Sequence, residues 1–308
     1  MQWERVIDTI RADNTSGAAE LARMAAIAVL EWTDQTASMP PHAWKTELLA
    51  FAPGLYMAQP AMAPLFNLVN DSLLAVESTP IQEDLQPRVR GAVQAFLEQL
   101  THMHKGMTPA ALGLLPPGAR ILTFSYSSSV LAVLLEAHAR QRLSAVFCTE
   151  SRPMLEGQRL ARELARAGIA VELGVDAAIA TFAERADMAL VGADSVTAQG
   201  VINKLGTTSL ALASRHADTP CYVVADRHKW FPAGAAAPVF SQLKPEVEVW
   251  SNPPTGVTIR NAYFECTPMT LFSGIVGEDG VRGPEDLLRQ LRAMPIAQVL
   301  RCSASGAD

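Results

Sequence analysis

The chain has 308 residues, 49% hydrophobic and 18% charged, with a formal net charge of −6. That length builds two domains or one large one. The acidic balance, with no dense Lys/Arg cluster, excludes direct nucleic-acid binding.

No apolar run reaches the length of a membrane span. The charged start MQWERVIDTIRAD lacks a signal-peptide core, so the cytoplasm is the expected compartment. Residues 1–105 read as an all-helical domain. Glu20–Leu30 carries Leu21, Met24, Ala25, Ala28 and Val29 on one face at helical spacing, with Asn14, Thr15 and Ser16 ahead of it as caps. Trp44–Phe51 predicts a second helix, broken by Pro53-Gly54. Met62–Ser78 and Leu85–Thr101 predict two more. The Gly/Pro-rich stretch Gly106–Arg120 then interrupts the pattern and marks the boundary with a second domain, 106–308.

From Arg120 strands and helices alternate. ILTF (121–124), SAVFC (144–148), IAVEL (169–173), MALV (188–191) and CYVVA (221–225) are strand-length apolar runs. Helices fall at Val130–Arg140, Gln158–Ala167, Asp176–Arg185 and from about Thr207 to Arg215. VEVW (247–250) and NAYFE (261–265) predict further strands. The fold class is therefore α/β: a helical N-terminal domain, then a Rossmann-like, mainly parallel sheet with helices on both faces.

Parallel topology gathers the carboxyl ends of the strands at one edge, where ligands of open α/β sheets bind. The residues just past those ends are Ser125–Ser129, Glu150–Arg152, Asp176, Asp194 and Asp226–Lys229. The segment Ala186–Ala213 is the most informative. It reads as strand, carboxylate Asp194, a polar loop with Asn203 and Lys204, and a helix whose free amides suit phosphate. Asp226–Lys229 reads as a solvated loop. No G-x-G-x-x-G, P-loop or G-x-S-x-G elbow is present. The four cysteines (Cys148, Cys221, Cys266, Cys302) form no Cys-x-x-Cys pair and no HExxH occurs, so no metal or disulfide framework is implied. What remains suits a small, hydroxylated, phosphorylated ligand.

ILTFSYSSSV, TESRPMLEGQRLARELARAGI, ADMALVGADSVTAQGVINKLGTTSLALA, PCYVVADRHKW and RNAYFECTP occur in the order and spacing of one superfamily. Through them the chain resembles the alpha, beta and delta subunits of translation initiation factor 2B, methylthioribose-1-phosphate isomerase and ribose-1,5-bisphosphate isomerase. The resemblance implies an acid/base pair made of a cysteine after the first strand and the aspartate of the GAD motif. Asp194 matches the aspartate. Ser125 stands in the cysteine's place and Phe124 where the isomerases carry histidine. Ser16-Gly17 stands where they carry Arg-Gly. Arg152, Asn203 and Lys204 match ligand-binding positions, and Ser127 and Ser128 add hydroxyls.

A serine hydroxyl needs an adjacent base, which a tuned thiol does not. The pattern therefore resembles the initiation-factor-like branch: a protein that binds a phosphorylated sugar or nucleotide monophosphate without catalysis and without a cofactor. The alternative is an aldose–ketose isomerase acting on a ribose-type 1-phosphate, with Ser125 or a water replacing the thiol. The resemblance also implies a homo-oligomer, a dimer or dimer-based hexamer, with Trp230, Phe231, Phe264 and Leu271 at its interface.

Overall fold

A computed structural model describes residues 2–78 and 85–301. Helices come first: α1 (Gln2–Ala12), α2 (Ala18–Gln35), α3 (Pro41–Met57), α4 (Ala63–Glu77), α5 (Leu85–His102) and α6 (His104–Leu114). Aromatic rings fasten the outer helices. Trp3 stacks on Phe51 with centroids 3.7 Å apart, and Trp32 on Trp44 at 4.5 Å. Helix α3 continues through Pro53 rather than ending before it. Leu48 and Leu55 are 1% and 0% exposed. Burying each is worth roughly 2 kcal/mol, which offsets the roughly 3 kcal/mol a proline costs inside a helix.

The Gly/Pro-rich stretch expected to interrupt the pattern at the domain boundary is largely α6, which packs on α7 (Ser128–Ala139) and beside the far edge of the sheet. Its proline and glycines are tolerated because Met107, Ala111 and Leu112 are buried.

Beyond α6 the chain runs β1 (Ala119–Thr123), α7, β2 (Leu143–Thr149), α8 (Glu156–Arg166), β3 (Val171–Gly174), α9 (Ile179–Ala183) and β4 (Met188–Val191). It continues through β5 (Ser195–Val196), β6 (Val201–Lys204), α10 (Thr207–His216), β7 (Cys221–Val224), β8 (Phe264–Thr267), β9 (Gly274–Gly277), β10 (Gly280–Arg282) and α11 (Pro284–Ala293). The main sheet has the order β10-β9-β7-β4-β1-β2-β3, parallel except for β10. Alternate residues feed two layers. Ile121, Leu190 and Val224 face the core shared with α7, α8 and the N-terminal helices. Leu122, Val191 and Val223 face the core of α9, α10 and α11. The α/β class and the helices on both faces are as the sequence predicts.

Three expectations change. VEVW forms no strand: Glu246–Glu248 is a single 3-10 turn, and Val247, Val249 and Trp250 are exposed with no neighbouring strand to pair. Asn203 and Lys204 are not in a loop but on β6, which pairs antiparallel with β5 and β8 in a second, three-stranded sheet. Asp226–Lys229 is not solvated either. Asp226 is 0%, His228 7% and Lys229 9% exposed, because α4 packs over the turn that follows β7.

That packing locks the two halves together. Asn67 Nδ2 donates to the carbonyls of His228 and Trp230, and Asn70 donates to Pro295 and accepts from the Ala297 amide. The Ala63 amide donates to the Asp194 carbonyl and to Ser195 Oγ, so Asp194 is held from the helical side.

Asp71 borders a cavity of about 350 Å³ at this junction, with His228, Arg227 and Gln99. Desolvation pushes its carboxyl up to about 6, with His228 pulling the other way. A raised carboxyl costs the folded state stability as pH climbs from about 4 to about 6. Asp71→Asn is therefore expected to raise the melting temperature at pH 8 and leave it unchanged at pH 4, read by thermal denaturation.

Candidate functional site

Strand order reverses between β1 and β4, and the crevice at their carboxyl ends is the natural ligand seat of such a sheet. The chain leaves β1 through Ser125, whose φ of 62° turns the backbone sharply, and the Ser125 amide donates to Ser151 Oγ. It leaves β4 through Gly192-Ala193-Asp194. A Cβ on Gly192 would lie 2.5 Å from Ser127 Oγ, so glycine lets the two exits touch. Ser127 also caps α7, accepting from the Val130 amide.

A cavity of about 140 Å³ opens there between the two halves of the protein. Its helical wall is the loop Asp13–Gly17 and the start of α2. Asp13 Oδ1 accepts from the amides of Thr15 and Ser16, and Gln59 Nε2 ties the loop down through the carbonyls of Ile10 and Asp13. No side chain caps α2 at Gly17. The uncapped start of α2 and the serine-rich start of α7 thus border one space, an arrangement that favours an anion.

Charged side chains fill the opposite wall. Lys204 Nζ lies 2.6 Å from Glu156 Oε1, with the lysine side chain 4% exposed. Lys229 and Arg159 also line the cavity, Arg159 lying 4.0 Å above the Tyr126 ring. Asp194 sits among them. Burial pushes its carboxyl up, Lys229 and Lys204 oppose this, and Glu156 reinforces it.

Ser16, Gly17, Ser125, Ser127, Ser128, Asp194, Asn203 and Lys204 all border this cavity. Arg152 does not. Its guanidinium reaches the carbonyls of Glu248 and Val249, and its amide donates to Asp176. The expected phosphate seat at the start of α10 is taken as well, because Glu265 Oε1 accepts from the amides of Gly206 and Thr208. Glu156, Arg159 and Tyr263 border the cavity unforeseen, and Lys229 joins them. Glu156 and Arg159 are one turn apart on the most amphipathic helix of the chain, a periodicity legible in EGQRLAREL. Lys229 stood in the strand-end set but was read as part of a solvated loop.

No other described thiol takes the place of the cysteine replaced by Ser125. Burial pushes Cys148 and Cys221 up to about 12, and Cys266 is raised by burial and by Glu265. Cys302 lies outside the described residues. Among the described residues no group of three His, Cys, Asp or Glu side chains is placed to hold a metal, and no helix is long and apolar enough to cross a membrane.

A helical cap over a doubly wound sheet, with a charged cavity where the strand order reverses, defines the class of protein this is: a two-part α/β fold with its cavity at the switch point. Within it, the sequence model of the Initiation factor 2 subunit family matches residues 10–284, and the chain belongs to that family. It is 29% identical to the ribose 1,5-bisphosphate isomerase of Archaeoglobus fulgidus over 282 residues, covering 90% of this chain and 88% of that protein. It is 30% identical to an eIF-2B subunit 2-like protein of Pyrococcus abyssi over 277 residues, covering 90% and 94%. The crystal structure of the Pyrococcus horikoshii translation initiation factor eIF-2B superposes with a TM-score of 0.79 at 28% identity, covering 92% and 98%.

Proposed function

We propose that this protein is an aldose–ketose isomerase acting on a ribose-type sugar 1-phosphate. The observation that carries the reading is Asp194: a carboxyl raised by burial that borders the cavity in the field of Lys229 and Lys204. Opening the ring of a sugar 1-phosphate needs a proton on the ring oxygen, and a carboxyl that burial raises above its ordinary range is a group suited to donate it. In this reading the 1-phosphate rests on the starts of α2 and α7, with Ser16, Gly17, Ser127 and Ser128, and is neutralised by Arg159 and Lys229. Asn203 and Lys204 meet the sugar hydroxyls. The similarity to a ribose 1,5-bisphosphate isomerase along nine-tenths of the chain supports it.

The family resemblance favours binding without turnover in one respect: Ser125 replaces the cysteine, and among the described residues no base hydrogen-bonds its hydroxyl. Ribose 1,5-bisphosphate, ribose 1-phosphate and methylthioribose 1-phosphate, each incubated with the protein, separate the two readings. Ketose formation from any of them supports the isomerase. A raised melting temperature with no ketose supports a binding protein.

Assembly with itself belongs to the same reading. Trp230 and Phe231 do not serve as its interface, since they are 3% and 5% exposed within the single chain. Val239, Leu243, Val247, Val249, Trp250 and Val257 are exposed on one sequence segment and are the apolar surface such an interface would use.

A further inference from the structure

We propose that Glu156 is a catalytic residue of this cavity, the base that takes the C2 hydrogen and returns it at C1, the task for which Ser125 has no base of its own. The inference rests on the isomerase reading and adds the second member of its acid/base pair.

Three observations converge on Glu156. It shares the cavity with Asp194 and Ser125. Only one of its carboxylate oxygens is engaged: Oε1 meets Lys204 at 2.6 Å, while Oε2 is buried and has no partner. A buried, unpaired carboxylate oxygen costs free energy unless a ligand meets it. Its field also reaches both Asp194 and Tyr263, which border the same cavity.

The backbone holds Glu156 rigidly. Leu155, at φ 59°, donates its amide to the Ser151 carbonyl, and the Gly157 amide donates to the Glu150 carbonyl. A Cβ on Gly157 would lie 1.7 Å from the Thr149 carbonyl oxygen, so the first turn of α8 is pressed against the end of β2. Because backbone rather than side chain must yield, Gly157→Ala is expected to lower the midpoint of a urea titration. The first-turn position also sets the negative charge of Glu156 with the helix dipole.

The chemistry closes with these two groups. Asp194 gives its proton to the ring oxygen as the bond from C1 to that oxygen breaks, leaving positive charge at C1 shared with the phosphoryl oxygen. Glu156 takes the hydrogen from C2, and the electron pair forms the C1=C2 bond of an enol phosphate. The proton on Glu156 then passes to C1. The O2–H electrons become the C2 carbonyl, and the O2 proton restores Asp194. No oxidant, reductant or cofactor is consumed.

The test is Glu156→Gln, which keeps shape and an oxygen for Lys204 but cannot carry a proton, beside Glu156→Asp, which keeps the charge and withdraws it by a methylene. Ribose 1,5-bisphosphate is the substrate, and ribulose 1,5-bisphosphate is the ligand for calorimetry. Both variants are expected to lower kcat at least roughly 100-fold and to hold the ketose within about threefold of the wild-type Kd. Turnover within fivefold of wild type in Glu156→Gln, or parallel loss of rate and ketose affinity, overturns the assignment alone. No turnover of ribose 1,5-bisphosphate, ribose 1-phosphate or methylthioribose 1-phosphate by the wild-type protein overturns the isomerase reading and this inference with it.

Discussion

Asp194→Asn is expected to lower kcat for ketose formation roughly 1,000-fold, within the range that a positioned acid/base group supplies. Asparagine matches the shape of aspartate but has no proton to give to the ring oxygen. The fold should not suffer. The Asp194 backbone is held independently of its side chain, by the Ala63 amide on its carbonyl and by its own amide on the Ile202 carbonyl. The carboxyl is also raised by burial, so its charge costs stability above the ordinary aspartate range, and asparagine removes that cost. The variant should melt no lower than wild type at pH 7. It should retain the affinity for the ketose, because the phosphate seat on α2 and α7 is untouched. A variant that folds, binds and keeps more than a tenth of the wild-type rate would remove Asp194 from the chemistry.

Lys204→Met is expected to cost about 3 kcal/mol of stability and to abolish ligand-induced stabilisation. Lys204 is 4% exposed and its ammonium lies 2.6 Å from Glu156. Methionine leaves the Glu156 carboxylate in the cavity with neither oxygen paired, and an uncompensated buried charge is among the costliest single changes. Glu156 keeps some access to solvent, at 22% exposure, which places the cost at the low end of the range for buried pairs. Adding Glu156→Gln to Lys204→Met should restore most of the stability without restoring function. Urea titrations of the two single variants and the double variant measure this coupling directly. Additive losses would mean that the pair contributes nothing beyond its two separate side chains.

Much of the sheet half was legible in the sequence because its signals are local. MALV is a strand-length apolar run bounded by Ala186-Asp187 and Gly192, and the strand it forms has those bounds. The parallel order followed from repeated strand–helix units, which place Ser125 and Asp194 at one switch point. Long-range pairings were not legible. Strands β9 and β10 are short, rich in glycine, and find their place only by pairing with β7 and with each other. VEVW has the composition of a strand but no partner.

The errors at the site have one cause. Position relative to a strand end says which edge a residue approaches but not where its side chain goes. Arg152 follows β2, yet it turns away to the carbonyls of Glu248 and Val249. Glu156, four residues further, starts the helix that returns to the cavity. Lys229 reaches the same space because the helical half buries its turn, a contact no local pattern encodes.

The most direct measurement is phosphorus NMR of ribose 1,5-bisphosphate mixed with the wild-type protein at equal concentration. Resonances of ribulose 1,5-bisphosphate appearing and growing with time are the predicted result, with none formed by Asp194→Asn. An aldose spectrum that stays unchanged for this substrate and for ribose 1-phosphate and methylthioribose 1-phosphate, while calorimetry registers binding, would contradict an isomerase and leave a protein that only holds its ligand.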